Sequence, residues 1–236
     1  RGNKVVMGAG AKRGEAPAFM CGFHGWTYDL EGRLIAVPDE EDFFGLDRCA
    51  LSLKSIHCEL WRGFIFINTA ERPRISLLDA LDPEWAADVG RFPFEAFERT
   101  SGFTAEVDCN WKIGLDAFQE GYHIIGLHRK SAYLPFASKD DPYAHLLWVK
   151  LFQHGTRRLS FPANLEFVPE PAVLKAVQYT GNNVYAYQEE GRRNLPGVNP
   201  GGFANWSFDI NILFPHTQLL MSDAFFVYQI FWPISH

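Results

Sequence analysis

The chain has 236 residues, of which 47% are hydrophobic, 21% charged and 15% aromatic. This is the composition of one large or two small globular domains, and it excludes a disordered or low-complexity chain. The net charge of −6 comes with no clustered basic excess, which excludes a nucleic-acid-binding domain. The apolar runs, such as that from Gly63 to Asn68, are strand-length, far short of the roughly 18 residues of a membrane span.

In chain order, the first stretch is dense in Gly, Pro and Asp: MGAGAKRGEAP, CGFHGW and DLEGRL separate short apolar runs. Such punctuation predicts short strands joined by tight loops. EDFFGLD adds another turn. Ile56 to Thr69 reads as two β-runs bending at Arg62-Gly63. A boundary is expected at Glu71 to Arg74, dividing an all-β part (1–72) from a second domain (73–236). Beyond it Ser76 is placed to cap a short helix carrying Leu77, Leu78 and Leu81, and a second helical turn starts at Asp82-Pro83. SGFTAEVDCNW reads as a β-run, and KIGLDAFQEGYHIIGLH has helical spacing. The remainder alternates turns with strands: HLLWVKLFQHG, VYAYQ, WSFDINILF and TQLLMSDAFFVYQIFW. The expected class is α+β.

The cysteines (Cys21, Cys49, Cys58, Cys109) are irregularly spaced, unlike a disulfide scaffold. Cys49 and Cys109 are expected as buried free thiols. His57 and Cys58 lie in a strand-like run and read as packing or surface residues. His145, His154 and His216 have no partner at ligand spacing. No signal-peptide pattern opens the sequence, so the cytoplasm is the expected setting. The chain opens on Arg1-Gly2 and stops after a strand-like run, as a segment of a longer protein would.

Two segments carry chemistry. In CGFHGWTYD, Cys21 and His24 stand three apart in a Gly-flanked loop, a spacing that lets thiolate and imidazole reach one metal centre. An ordinary loop can show the same pattern. In the second segment, Asp116, Glu120 and His123 follow one another at steps of four and three, offset by about 40° and 60° on a helix. His128, five further on, would swing about 140° away, so the helix must unwind or bulge for both imidazoles to meet one ion; Gly126 is placed to permit it. The alternative is a surface helix with scattered polar residues. Polar groups among Ile113, Leu115, Phe118, Ile124 and Ile125, however, need partners. Phe118, Tyr133, Leu134 and Phe136 are expected in the core, or beside a pocket. Asp209 and Asp223 lie in strand-like runs and are not nominated.

CGFHGWTYDLEGRL resembles the second half of the C-x-H…C-x-x-H ligand motif of Rieske [2Fe–2S] domains. NWK followed by an acid, Tyr-His and a second His five on resembles the iron motif of the large (alpha) subunit of Rieske non-haem iron oxygenases. The two motifs stand in that family's order. The resemblance implies a partial Rieske domain followed by a helix-grip domain of antiparallel sheet and helices. It implies Cys21 and His24 as two of four cluster ligands, the first C-x-H lying ahead of Arg1. It also implies His123 and His128 as ligands of mononuclear Fe(II), Glu120 as the electron bridge, Asp116 as a near-iron acid, and a third iron ligand beyond His236. The implied activity is hydroxylation of an aromatic or other small apolar substrate with O₂. Electrons come from a reductase, directly or through a ferredoxin, and NAD(P)H acts only through the reductase. A homotrimer or an α₃β₃ assembly with a small subunit is implied, without nucleic acid or membrane. Two other readings stay open from the residues: a structural zinc module with a non-catalytic helix-grip binder, and a family member that only binds small apolar molecules.

Overall fold

In a computed structural model, the structure describes residue 5 and residues 15–98, 101–130, 133–180 and 195–234. The run at 184–188, read as a strand, lies outside the described residues. The class is α+β, and the chain forms two compact units: Arg1–Glu59 with Ile65–Pro73, and Leu60–Phe64 with Arg74–His236.

The first unit contains a three-stranded antiparallel sheet of β1 (Phe19–Met20), β2 (Thr27–Tyr28) and β3 (Leu34–Ala36). Its loops are tied locally. Asp29 accepts from the Arg33 and Glu31 backbone N–H groups, and Asp47 from those of Cys49 and Ala50. Among its described residues the buried hydrophobics are Leu34 and Val37, while Phe23, Phe44, Leu53 and Ile67 are exposed. A chain segment this short builds little core by burial alone. β4 (His57–Trp61) and β5 (Phe64–Asn68) form the expected hairpin, with Arg62 and Gly63 both at positive φ in its turn.

The second unit is built on a five-stranded antiparallel sheet in the order β10-β9-β8-β7-β6. Its strands are β6 (Trp148–Leu151), β7 (Arg157–Pro162), β8 (Trp206–Leu213), β9 (Thr217–Met221) and β10 (Phe226–Ile230). Register fixes what each face carries, because paired residues share a face and neighbours along a strand do not. One row runs Val149, Leu159, Ile210, Leu220, Val227, and the next runs Lys150, Arg158, Asn211, Leu219, Tyr228. The first row belongs to an apolar face whose core holds Leu159, Phe161, Phe208, Ile210 and Ile212. The second belongs to a face that buries Arg158, Ser160, Asp209 and Asn211.

α1 (Leu77–Leu81) and α2 (Pro83–Val89) begin where expected. Ser76 Oγ accepts from Asp79 N–H at 3.1 Å, and Asp82 accepts from Glu84 and Trp85 N–H ahead of Pro83. The Trp85 indole N–H reaches Asn211 Oδ1 at 2.9 Å, so α2 packs on the polar face. α3 (Trp111–Asp116), α4 (Ile124–Leu127) and α5 (Tyr133–Phe136) pack through Trp111, Leu115, Ile124 and Phe136 on the apolar face.

Three expectations are corrected. Residues 101–110 are exposed and irregular rather than a strand, because no described strand pairs with them. Cys49 and Cys109 are exposed, not buried, and so is Cys58. α6 (Pro171–Thr180) is a helix in a region read as sheet and turns. Among the described residues no helix is long and apolar enough to cross a membrane.

Candidate metal centre

Lys112–His128 is not one helix. Asn110 caps α3 through its side chain, which accepts from Lys112 N–H, but after Asp116 the hydrogen bonds tighten to i→i−3: Phe118 to Leu115 and Gln119 to Asp116. In an unbroken helix the His123 N–H would bond the Gln119 carbonyl. Instead it donates to Glu120 Oε2 at 3.0 Å. The Glu120 carboxylate therefore supplies a partner for one of the N–H groups that the start of α4 leaves unpaired. From there the backbone is helical, with Leu127 N–H on the His123 carbonyl at 2.8 Å and His128 N–H on that of Ile124 at 3.0 Å.

The unwinding thus lies ahead of His123. Gly126, expected to permit it, sits inside α4 in open space. Asp116, expected on the same face as Glu120 and His123, is exposed and accepts from the Gln119 side chain at 2.8 Å.

The break brings three of the expected residues together. Glu120 Oε1 contacts His123 Nδ1, and the His123 and His128 rings lie 5.2 Å apart, centre to centre, at 66°. Glu120 is partly exposed and both histidines are half-buried. Burial works against ionisation of Glu120, but the hydrogen bonds from the His123 ring and backbone outweigh it and hold the carboxyl below its usual range. An ionised carboxylate only accepts, so in the neutral imidazole Nδ1 carries the proton and Nε2 keeps its lone pair. A carboxylate behind the imidazole is the arrangement that orients metal-binding histidines. Two imidazoles bonded at about 2.1 Å to one ion, meeting near 90–110°, put their ring centres about 4.5–5.5 Å apart, which the observed spacing fits. Among the described residues no three of His, Cys, Asp and Glu converge as a metal-binding group, so the two histidines stand as a pair.

Cys21 and His24 occupy the turn between β1 and β2. Cys21 N–H donates to the Trp26 carbonyl at 2.8 Å and Gly25 N–H to the Cys21 carbonyl at 2.9 Å, with Gly25 at φ +76°. His24 is exposed, its ring 4.2 Å from that of Phe23. A thiol and an imidazole on one tight turn are donors of the kind an iron–sulfur centre takes.

Phe118, Tyr133 and Phe136 pack against the apolar core, whereas Leu134 is exposed. An aromatic cleft of about 370 Å³, lined by Arg62, Gly63, Phe64, Phe94, Glu95 and Phe226, holds none of the site residues. Two groupings escaped the sequence reading. His145, expected to have no partner at ligand spacing, has its Nδ1 2.6 Å from Asp141 Oδ1 as a hydrogen-bond pair, and its signal was the i,i+4 spacing of acid and imidazole. Asp209 is fully buried and accepts from Arg158, Ser160, Trp206 and the Asn199 N–H. No local pattern gathers those partners.

The catalytic-domain family described as "Ring hydroxylating alpha subunit" matches residues 94–236, more than half of the chain. The chain belongs to this family of oxygenase alpha subunits. It is 32% identical over 192 residues to the alpha subunit of benzene 1,2-dioxygenase from Pseudomonas putida, covering 77% of this chain and 41% of that protein. It is 28% identical over 152 residues to the oxygenase subunit of glycine betaine monooxygenase from Chromohalobacter salexigens, covering 61% and 32%. The fold matches a solved quaternary ammonium Rieske monooxygenase at 19% identity, with a TM-score of 0.63 over 97% of this chain and 51% of that one. It also matches naphthalene 1,2-dioxygenase from Rhodococcus sp. at 21% identity, with a TM-score of 0.58 over 94% and 52%. The chain spans about half the length of these solved relatives and less than half of the curated ones.

Proposed function

We propose that the full-length protein is a Rieske-type oxygenase that hydroxylates a small aromatic or other apolar molecule with O₂. In this reading residues 1–72 are the C-terminal part of the cluster domain, and 73–236 are the N-terminal part of the mononuclear-iron domain. The observation that carries it is the His123 imidazole, held at Nδ1 by Glu120 and lying 5.2 Å from His128.

His123 and His128 would hold ferrous iron, whose chemistry there would be the activation of dioxygen. Glu120 fixes the tautomer and the plane of His123. Its partial exposure suits the second role assigned to it, contact with the electron-donating centre of a neighbouring subunit. Cys21 and His24 would supply half of the [2Fe–2S] ligands. Asp116 stays a near-iron candidate only as an exposed acid at the end of α3. The apolar face under α3–α5 excludes water from the protein side of the site. Electrons come from a reductase, alone or through a ferredoxin, so NAD(P)H acts at one remove. A homotrimer or α₃β₃ assembly in the cytoplasm completes the reading.

Metal analysis of the full-length protein tests it. His123→Ala should lose the mononuclear iron and keep iron with acid-labile sulfide. Glu120→Gln should keep both metals and turn over far more slowly. Unchanged iron in the first variant, or zinc in place of iron and sulfide, would sink the assignment.

A further inference from the structure

The turn carrying Glu120 and His123 does not stand alone. Gly121, between them, is buried, and a Cβ built there would lie 2.8 Å from the carbonyl oxygen of Ala144 and 3.6 Å from the Phe161 ring. The turn is therefore seated on one backbone carbonyl, closely enough that a side chain would force something to move. Ala144 is itself unusual. It is 1% exposed and sits at φ +52°, a conformation L-residues other than Asn and Asp seldom hold without help from their surroundings.

The help comes from Asp141. One carboxylate oxygen accepts from the His145 N–H at 2.7 Å. The other accepts from the Tyr143 N–H at 3.3 Å and meets His145 Nδ1 at 2.6 Å. The Asp141 carbonyl accepts from the N–H groups of Ser138 and Ala144, and its own N–H donates to Ser138 Oγ at 3.0 Å. Bonds on both sides of Ala144 thus hold its carbonyl under Gly121. The Tyr143 ring stacks on Tyr122, the residue before His123, at 6.4 Å and 14°.

We propose that Asp141 is a positioning residue for the metal centre: by fixing the Ser138–His145 loop it sets the Ala144 carbonyl against Gly121, and so fixes the turn that aims Glu120 and His123. This rests on the reading of His123 as an iron ligand. Nothing in the spacing of the ligand motif announces it, because Asp141 lies 18 residues beyond His123 and touches neither histidine. Its effect passes through a backbone carbonyl. Loss of support behind a metal-binding histidine typically lowers metal affinity about 10- to 100-fold.

The test is ferrous-iron affinity of the full-length protein, measured by chelator competition alongside the cluster's visible absorption and the melting temperature. Asp141→Ala should weaken iron binding by about tenfold or more while the absorption and melting temperature stay near wild type. Gly121→Ala should weaken it too. The double variant should lose less than the product of the two, because a loop released at Asp141 can yield to the new methyl group. His145→Ala, which keeps both backbone bonds to Asp141, should bind iron as wild type does. Unchanged affinity in Asp141→Ala overturns the proposal. So do multiplicative losses in the double variant, a loss seen only together with a lowered melting temperature, or an equal loss in His145→Ala. Should His123→Ala also leave iron affinity unchanged, the ligand assignment itself has failed.

Discussion

The two faces of the five-stranded sheet are both buried but by different means. Under α3–α5 the face is made of Leu159, Phe161, Phe208, Ile210 and Ile212, where contact is non-directional and adaptable. Under α2 it is made of Arg158, Ser160, Asp209 and Asn211, where every group needs a partner at a set distance. Arg158 meets Asp88 at 2.5 Å, Asp209 at 2.6 Å and the Gly197 carbonyl at 2.8 Å. Asp209 in turn holds Ser160, Trp206 and the Asn199 N–H. The difference teaches a division of labour. The polar face locks α2 and residues 197–199 to the strands in one arrangement. The apolar face gives the histidine-bearing turns a dry floor and leaves their aim to local hydrogen bonds, those of Glu120 and of the Ser138–His145 loop.

The sharpest way to break this comparison is Arg158→Ala. It leaves Asp209 buried without its cation, and should cost about 3–5 kcal/mol in chemical denaturation. A loss below 1 kcal/mol would mean the polar face is not a lock. Next comes Ile210→Ala on the apolar face, expected to cost roughly 3 kcal/mol through lost burial and the cavity left behind. If the faces differ as described, this variant keeps a single cooperative transition; a multiphasic melt would contradict it.

The smallest effect is in pH. Burial opposes ionisation of Asp88, but the Arg91 and Arg158 guanidinium groups outweigh it and hold its carboxyl below the usual carboxylate range. An acid whose folded pKa lies below its unfolded value of about 3.9 adds stability above that value. The contribution fades as pH falls through the folded pKa. Stability should thus decline on acidification below about pH 4, and Asp88→Asn should flatten that decline while leaving the apolar face untouched. An identical acid limb in wild type and variant would remove Asp88 from the lock.

Much of the architecture was legible. Ser76 and Asp82-Pro83 marked two helix starts because capping is a local contest for unpaired N–H groups. Arg62-Gly63 marked a hairpin turn, and the alternation in WSFDINIL marked a strand. The gathering of Glu120, His123 and His128 was legible too, since residues three to five apart on a helical stretch stay within reach of one another. Other features were not. The alternation in WSFDINIL reads equally well with Ser207, Asp209 and Asn211 in water, whereas all eight residues of β8 are buried. The helical spacing from Lys112 to His128 was real, yet a carboxylate one turn upstream took the His123 N–H and broke the helix there.

The sequence by itself determined which residues can cap, turn, pair and ligate, because those choices depend on neighbours a few positions away. Only the tertiary structure decided that the polar face of β8 is covered by α2, where the histidine helix unwinds, and that an aspartate 18 residues beyond His123 stands behind its turn. Each of those depends on which distant groups arrive to satisfy a buried donor, acceptor or carbonyl, and no local pattern records that.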